Sequence, residues 1–166
     1  MMNLKFYFEK LSSSDDFKKF KKENPKAYLC SVFISIDKEK NHNEVHFDFF
    51  LPKNNKMISF QLEPELKLIP LEKYDDKIPE ELFNVKIDLN KIESLISERM
   101  ERGNIKNKVQ KIILSLQKIN GKEFLSGTIF ISMLGLIKIV FDFEEMKITE
   151  FEKKSLLDII NVMKRK

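Results

Sequence analysis

Between Gly127 and Phe143 the chain reads GTIFISMLGLIKIVFDF, and only Lys138 and Asp142 in it are charged. Three structures compete for such a stretch: a membrane-crossing helix, a buried helix and a pair of strands. It falls just short of the roughly 18 apolar residues a spanning helix needs. Lys138 would also sit well inside the lipid, a costly place for a charge. Thr128, Ile129, Ile131, Ile137, Ile139 and Val140 are β-branched and favour extended backbone. Gly135 falls where a turn is wanted. The stretch therefore predicts two strands, about 124–132 and 136–143, joined around Met133-Leu134-Gly135. Both faces are apolar near that turn, so helices should cover at least one of them. If no helix of the chain covers Met133 and Leu134, a partner is the expected cover.

The remaining segments supply helices and further strands. Ser14-Asp15-Asp16-Phe17 reads as a helix start, with a capping serine and two acids at the positive end. Asn24-Pro25 ends that helix. Ala27–Asp37 alternates, with Tyr28, Cys30, Val32, Ile34 and Ile36 on one face; Val45–Leu51 and Met57–Leu62 extend a three-stranded meander. Residues 63–88 are broken by Pro64, Pro70 and Pro79, with a short strand expected around Leu66–Ile69. An apolar stripe, Leu89, Ile92, Leu95, Ile96 and Met100, predicts a helix opened by an Asn90/Glu93 capping box and stopped at Gly103. Lys108–Ile119 fits helix or strand; Asn120-Gly121, a strong hairpin signal, decides for a strand. Thr149 and Glu152 form another capping box, and Phe151, Leu156, Ile159, Ile160 and Met163 predict a C-terminal helix.

The expected fold is α+β: antiparallel sheet meanders with helices packed on one side. It reads as a single domain, or as two tandem helix-plus-three-strand units, 1–63 and 85–166, joined by an irregular acidic connector, 64–84. Val32-Phe33-Ile34-Ser35 echoes Ile129-Phe130-Ile131-Ser132, and Phe47-Asp48-Phe49 echoes Phe141-Asp142-Phe143, which would fit an ancient duplication.

Chemistry is sparse. A net charge of +4 rests on a lysine surplus of the kind an AT-rich genome produces, so it argues little for nucleic acid. Cys30 is the single cysteine, which excludes an internal disulfide and a cysteine-built zinc site; its apolar neighbours predict a buried, inert thiol. The N-terminus lacks a signal-peptide core, so a cytoplasmic protein with no membrane contact is expected. His42 and His46 are four apart, but a turn and a strand should keep them from converging on a metal. Ser12-Ser13-Ser14 lacks a nucleophile elbow. Asp48 and Asp142 could pair for acid–base work, yet their place between phenylalanines predicts solvent-facing positions on a half-exposed sheet. No glycine pattern cradles phosphate. No catalytic site, cofactor or metal is expected.

Lys18, Lys19, Lys21 and Lys22 form the outer face of the first helix, and Lys164-Arg165-Lys166 a basic tail. With the acids Glu63, Glu65, Glu72, Asp75, Asp76, Glu80 and Glu81, they could form the two halves of a protein interface. The candidate interaction residues are thus Met133, Leu134, Lys18 and Lys22. The partner is expected to be a protein or a second copy, with nucleic acid the weaker alternative.

The run Val85-Lys86-Ile87-Asp88-Leu89-Asn90-Lys91-Ile92 and the hairpin Lys118-Ile119-Asn120-Gly121-Lys122 resemble a PepSY-like domain over residues 85–149. Where that family often carries an Asp followed by a Thr-Gly turn, this chain has Asp142 followed by Phe143-Glu144-Glu145-Met146-Lys147. The resemblance implies no catalytic residues; it implies binding or inhibition of a protein partner, such as a peptidase. The first half, around Glu23-Asn24-Pro25-Lys26-Ala27-Tyr28-Leu29-Cys30, looks like small archaeal proteins of similar layout. The alternation of helices and strands also resembles secretion chaperones, which bind extended segments as dimers.

Overall fold

A computed structural model describes residues 3–62, 65–71, 77–83 and 87–164, except for the side chains of Ile159 and Val162. Asn3 opens the first helix, α1 (Leu4–Ser13), by accepting hydrogen bonds from the Lys5 and Phe6 N–H groups at 3.0 and 3.4 Å. Leu4 and Leu11, two turns apart, bury their side chains fully. α2 (Asp15–Glu23) starts where Ser14 Oγ accepts from Phe17 N–H at 3.2 Å, and it ends at Asn24, ahead of Pro25. Phe17 and Phe20 then meet Phe49 and Phe60 with ring centroids 5.1–5.7 Å apart, edge-on or tilted contacts that add to their burial.

The strands follow in two meanders: β1 (Tyr28–Asp37), β2 (His42–Leu51), β3 (Lys56–Gln61) and β4 (Lys67–Leu71), then β5 (Val109–Ile119), β6 (Lys122–Ile131), β7 (Gly135–Asp142) and β8 (Lys147–Ser155). α3 (Leu89–Arg102) joins the meanders and α4 (Leu156–Lys164) follows β8. All eight strands form one antiparallel sheet in the order β4-β3-β2-β1-β5-β6-β7-β8. The first strand of each meander pairs with the other, Val32 opposite Leu116 and Ile34 opposite Leu114.

Alternation sorts the side chains. One face carries Val32, Ile34, Phe47, Phe60, Leu114, Leu116, Ile129, Ile139 and Phe141, all buried. Leu4, Leu11, Phe20, Leu89, Ile92, Ile96 and Met100 join the same core from the helices. Burying each such side chain contributes about 1.5–3 kcal/mol. Gly127 belongs here because a Cβ would lie 2.6 Å from Leu114 Cδ2 and 3.0 Å from the Ile113 carbonyl oxygen. The opposite face carries Ser31, Phe33, Ser35, His46, Asp48, Ser59, Ser115, Ser126 and Thr128, a mixture of hydroxyl, aromatic and charged groups.

The structure overturns the expected α+β architecture of tandem units with helices packed on one side. One sheet, with four strands from each half, dominates, and the helices are minor elements of 10, 9, 14 and 9 residues. The largest local error lies at Thr149 and Glu152, which belong to β8 rather than to a helix cap. The physical reason is the outer edge of β7. Its N–H and C=O groups need partners, and residues 147–155 supply them while Ile148 and Phe151 turn to the core side. α3 is capped by Asp88, not by an Asn90/Glu93 box; the Asp88 carboxylate accepts from Asn90 and Lys91 N–H at 3.0 and 3.3 Å. The short strand expected near Leu66–Ile69 is β4. The echoing words fall on β1 and β6, and on β2 and β7, strands of different rank in their meanders. Expectations resting on Glu63, Pro64, Glu72, Asp75, Asp76, Val85, Lys86, Arg165 and Lys166 lie outside the described residues.

Candidate interaction surface

Asn41, Asn55, Asn104 and Asn120 occupy left-handed backbone positions, with φ from 50° to 56°. This is the usual solution, because asparagine tolerates that region better than other side-chain-bearing residues. The β6–β7 turn departs from it. Met133 and Leu134 both have positive φ, 65° and 56°. Bulky residues held there cost on the order of 1–2 kcal/mol each. Met133 is 89% exposed and Leu134 56%, so little burial offsets the strain. Met146, in the β7–β8 turn, shares the departure.

The turn is anchored on both sides. The Asn107 side-chain amide donates to the Ser132 carbonyl at 2.9 Å, and the Lys108 N–H donates to Ser132 Oγ at 2.9 Å. The Leu156 N–H donates to the Leu134 carbonyl at 2.8 Å, which ties the start of α4 to the turn. Six of the nine α4 residues are apolar, yet no described side chain of this helix is buried. Leu157, Ile160 and Met163 are 57%, 46% and 71% exposed. Leu156, Ile160 and Met163 were expected to pack as a core stripe. Leu156 is instead half-buried, and Ile160 and Met163 are exposed. Turn and helix together present an apolar end to the sheet. Around it stand Lys108, Lys153 and Lys154, the last two paired across the ladder with Ile137 and Leu136, and Lys164 ends the helix. Asp158 and Glu152 are the acids of this end, and Glu152 lies 3.7 Å from Lys154.

Lys18 and Lys22 are exposed on α2, whose aromatic face rests on β2 and β3. They lie on the opposite half of the sheet from Met133 and Leu134, so the four candidate residues divide into two separate surfaces. Sequence reasoning singled out Met133 and Leu134 through two-sided apolarity, and both side chains are exposed. It missed Leu157, and it placed Ile160 and Met163 in the core.

The other candidates resolve into structure. His42 and His46 flank Glu44, each Nε2 lying 3.4 Å from a different oxygen of its carboxylate. The strand puts residues 42, 44 and 46 on one face. His46 Nδ1 also meets Ser59 Oγ at 3.3 Å, but Ser59 is only 1% exposed, so the serine is closed to a substrate. Among the described residues no group of three or more could hold a metal ion. Cys30 is buried, and that burial, reinforced by the neighbouring Asp48 charge, pushes its thiol up to about 12.

Asp142 is buried rather than solvent-facing, whereas Asp48 lies half-buried on the polar face of the sheet, as expected. Asp48 accepts from Ser31 Oγ at 2.6 Å, and Asp142, buried, accepts from the Glu144 and Glu145 N–H groups at 2.8 and 3.3 Å. The carboxylates bind their own neighbourhoods instead of pairing. Ser12, Ser13 and Ser14 donate to carbonyls of the preceding helical turn. Nothing in the described residues indicates catalysis. No described helix is long and apolar enough to cross a membrane.

No family model and no curated protein matches the chain. Among solved structures, a "putative lipoprotein" from Clostridium difficile 630 is similar at 17% identity, over 84% of this chain and 91% of that one, with a TM-score of 0.47.

Proposed function

We propose that this chain is a non-enzymatic protein-binding module whose contact surface is the apolar end formed by the β6–β7 turn and α4. One observation carries the reading: Met133 and Leu134 are both held at positive φ and exposed, two successive bulky residues in one turn, where four other turns use asparagine. A turn with no task would relax toward Asn-Gly chemistry, since that removes strain without loss of packing. Leu157, Ile160 and Met163 extend the apolar area, and exposed apolar clusters of this kind mark interaction sites. The lysine rim defines the partner's chemistry: an apolar protein segment flanked by acidic side chains. The PepSY-like resemblance of residues 85–149 supports the same class of activity.

The test compares affinity capture by the wild-type chain with capture by Leu157→Glu/Met163→Glu. Both side chains are exposed, so the variant should fold as the wild type does. The partner should be a discrete protein recovered by the wild type and lost by the variant. Equal recovery by both would reject the apolar end as the contact surface.

A further inference from the structure

Of the thirty Lys and Arg residues in the chain, three are arginines: Arg99, Arg102 and Arg165. Two of these three line one cavity. Its volume is about 190 Å³, and it lies between the last turn of α3 and the start of β8, walled by Leu95, Arg99, Arg102, Lys147 and Ile148. Its polar lining is therefore wholly cationic.

Arginine at a helix C-terminus has a simple explanation, because cations there complement the helix dipole. That accounts for charge. It does not account for guanidinium in a chain that otherwise meets almost every need for a cation with lysine. Nor does it account for Lys147 reaching the same cavity from a different element. Among the described residues neither Arg99 nor Arg102 is ion-paired. Arg99 lies over the Phe151 ring at 5.3 Å, which fixes its plane without consuming its N–H donors. Lys147 contacts Glu145 at 3.1 Å, with both side chains more than half exposed, a pairing that water weakens and a ligand can displace. Leu95 and the buried Ile148 make the wall apolar, which strengthens any charge–charge contact made against it.

We infer that this cavity binds a phosphoryl group. Guanidinium forks match tetrahedral oxyanions with paired hydrogen bonds, and a third cation completes the neutralisation of a dianion. At roughly 30 Å³ per water the cavity holds about six waters. That is room to seat a phosphate and the few atoms attached to it. The ligand is thus a small phosphorylated molecule or a phosphorylated side chain. The inference stands apart from the protein-binding reading, which uses the other end of the β7–β8 ladder.

The test is amide and arginine Nε NMR during titration with inorganic phosphate at constant ionic strength. Saturable shifts confined to Leu95, Arg99, Arg102, Lys147 and Ile148 are expected, strengthening as pH rises through the second ionisation of phosphate near 6–7. Arg102→Lys keeps the charge and the fold but loses the fork, so affinity should fall about tenfold, roughly one charge-assisted hydrogen bond. Unchanged affinity in Arg102→Lys, or non-saturating shifts spread over all surface lysines, would overturn the inference. A short phosphoserine peptide distinguishes the sources: binding tighter than inorganic phosphate assigns a phosphorylated side chain, and equal binding assigns a small molecule.

Discussion

Replacing Met133 by asparagine should stabilise the protein, the reverse of what most substitutions do. Met133 sits at φ 65° and is 89% exposed. Its side chain therefore contributes almost no burial, and the loss on substitution is a few tenths of a kcal/mol at most. Asparagine accepts the left-handed region more readily, which should recover about 1 kcal/mol. For a chain of 166 residues that gain raises Tm by roughly 2–4 °C. The β5–β6 hairpin offers the mirror experiment. Asn120 has φ 52° and is exposed, so Asn120→Met should lower Tm by a similar amount. Thermal unfolding followed by circular dichroism reads both changes. A fall in Tm for Met133→Asn would refute the argument, because it would mean that Met133 makes stabilising contacts within the chain and is not held at a cost for a partner.

Four further outcomes follow from the core and the buried groups. Gly127→Ala should destabilise by about 1–3 kcal/mol through overpacking against Leu114 and the Ile113 carbonyl, read as a lowered denaturant midpoint. Asp142→Ala should cost about 1–3 kcal/mol, because the Glu144 and Glu145 N–H groups lose their acceptor. Cys30 should resist alkylation at pH 8 in the folded state and react once denatured. Its thiol is pushed from 9.0 up to about 12 in the fold. The neutral thiol is the form the fold favours, so its contribution is complete below pH 9 and is lost as pH rises from there through about 12. Tyr28, also raised by burial, adds in the same direction. Stability measured against pH should therefore decline above about pH 9, and a rise there would contradict these environments.

Much of the sheet was legible because alternation is a local signal. Ala27–Asp37, Val45–Leu51, Met57–Leu62 and the Gly127–Phe143 hairpin all lie where period-2 patterning and turn residues put them. The Asn-Gly pair at 120–121 decided Lys108–Ile119 correctly, since both residues take positive φ there. What failed depended on partners distant in sequence. Thr149 and Glu152 satisfy a helix-cap rule locally, but the open edge of β7 recruits them as a strand. That one error hid the fourth strand of the second meander and put Ile160 and Met163 in the core. α1 escaped notice although Leu4, Tyr7, Phe8 and Leu11 stand at helical spacing and all reach the core, because the charges among them were weighed only against a signal peptide. The Glu44 contacts of His42 and His46 needed only the strand's own period, once the strand was seen to begin at His42. The β6–β7 turn was recognised, but its backbone strain is invisible without dihedral angles.

The most direct test of the central claim places a photo-crosslinking amino acid at position 133 in cells and a control at Ile119. Both positions are exposed, and they mark opposite ends of the second meander. Position 133 should yield a discrete crosslinked protein that disappears with Leu157→Glu/Met163→Glu, while position 119 should not yield it. Crosslinks of equal yield and identity from both positions, or none from position 133, would contradict the account.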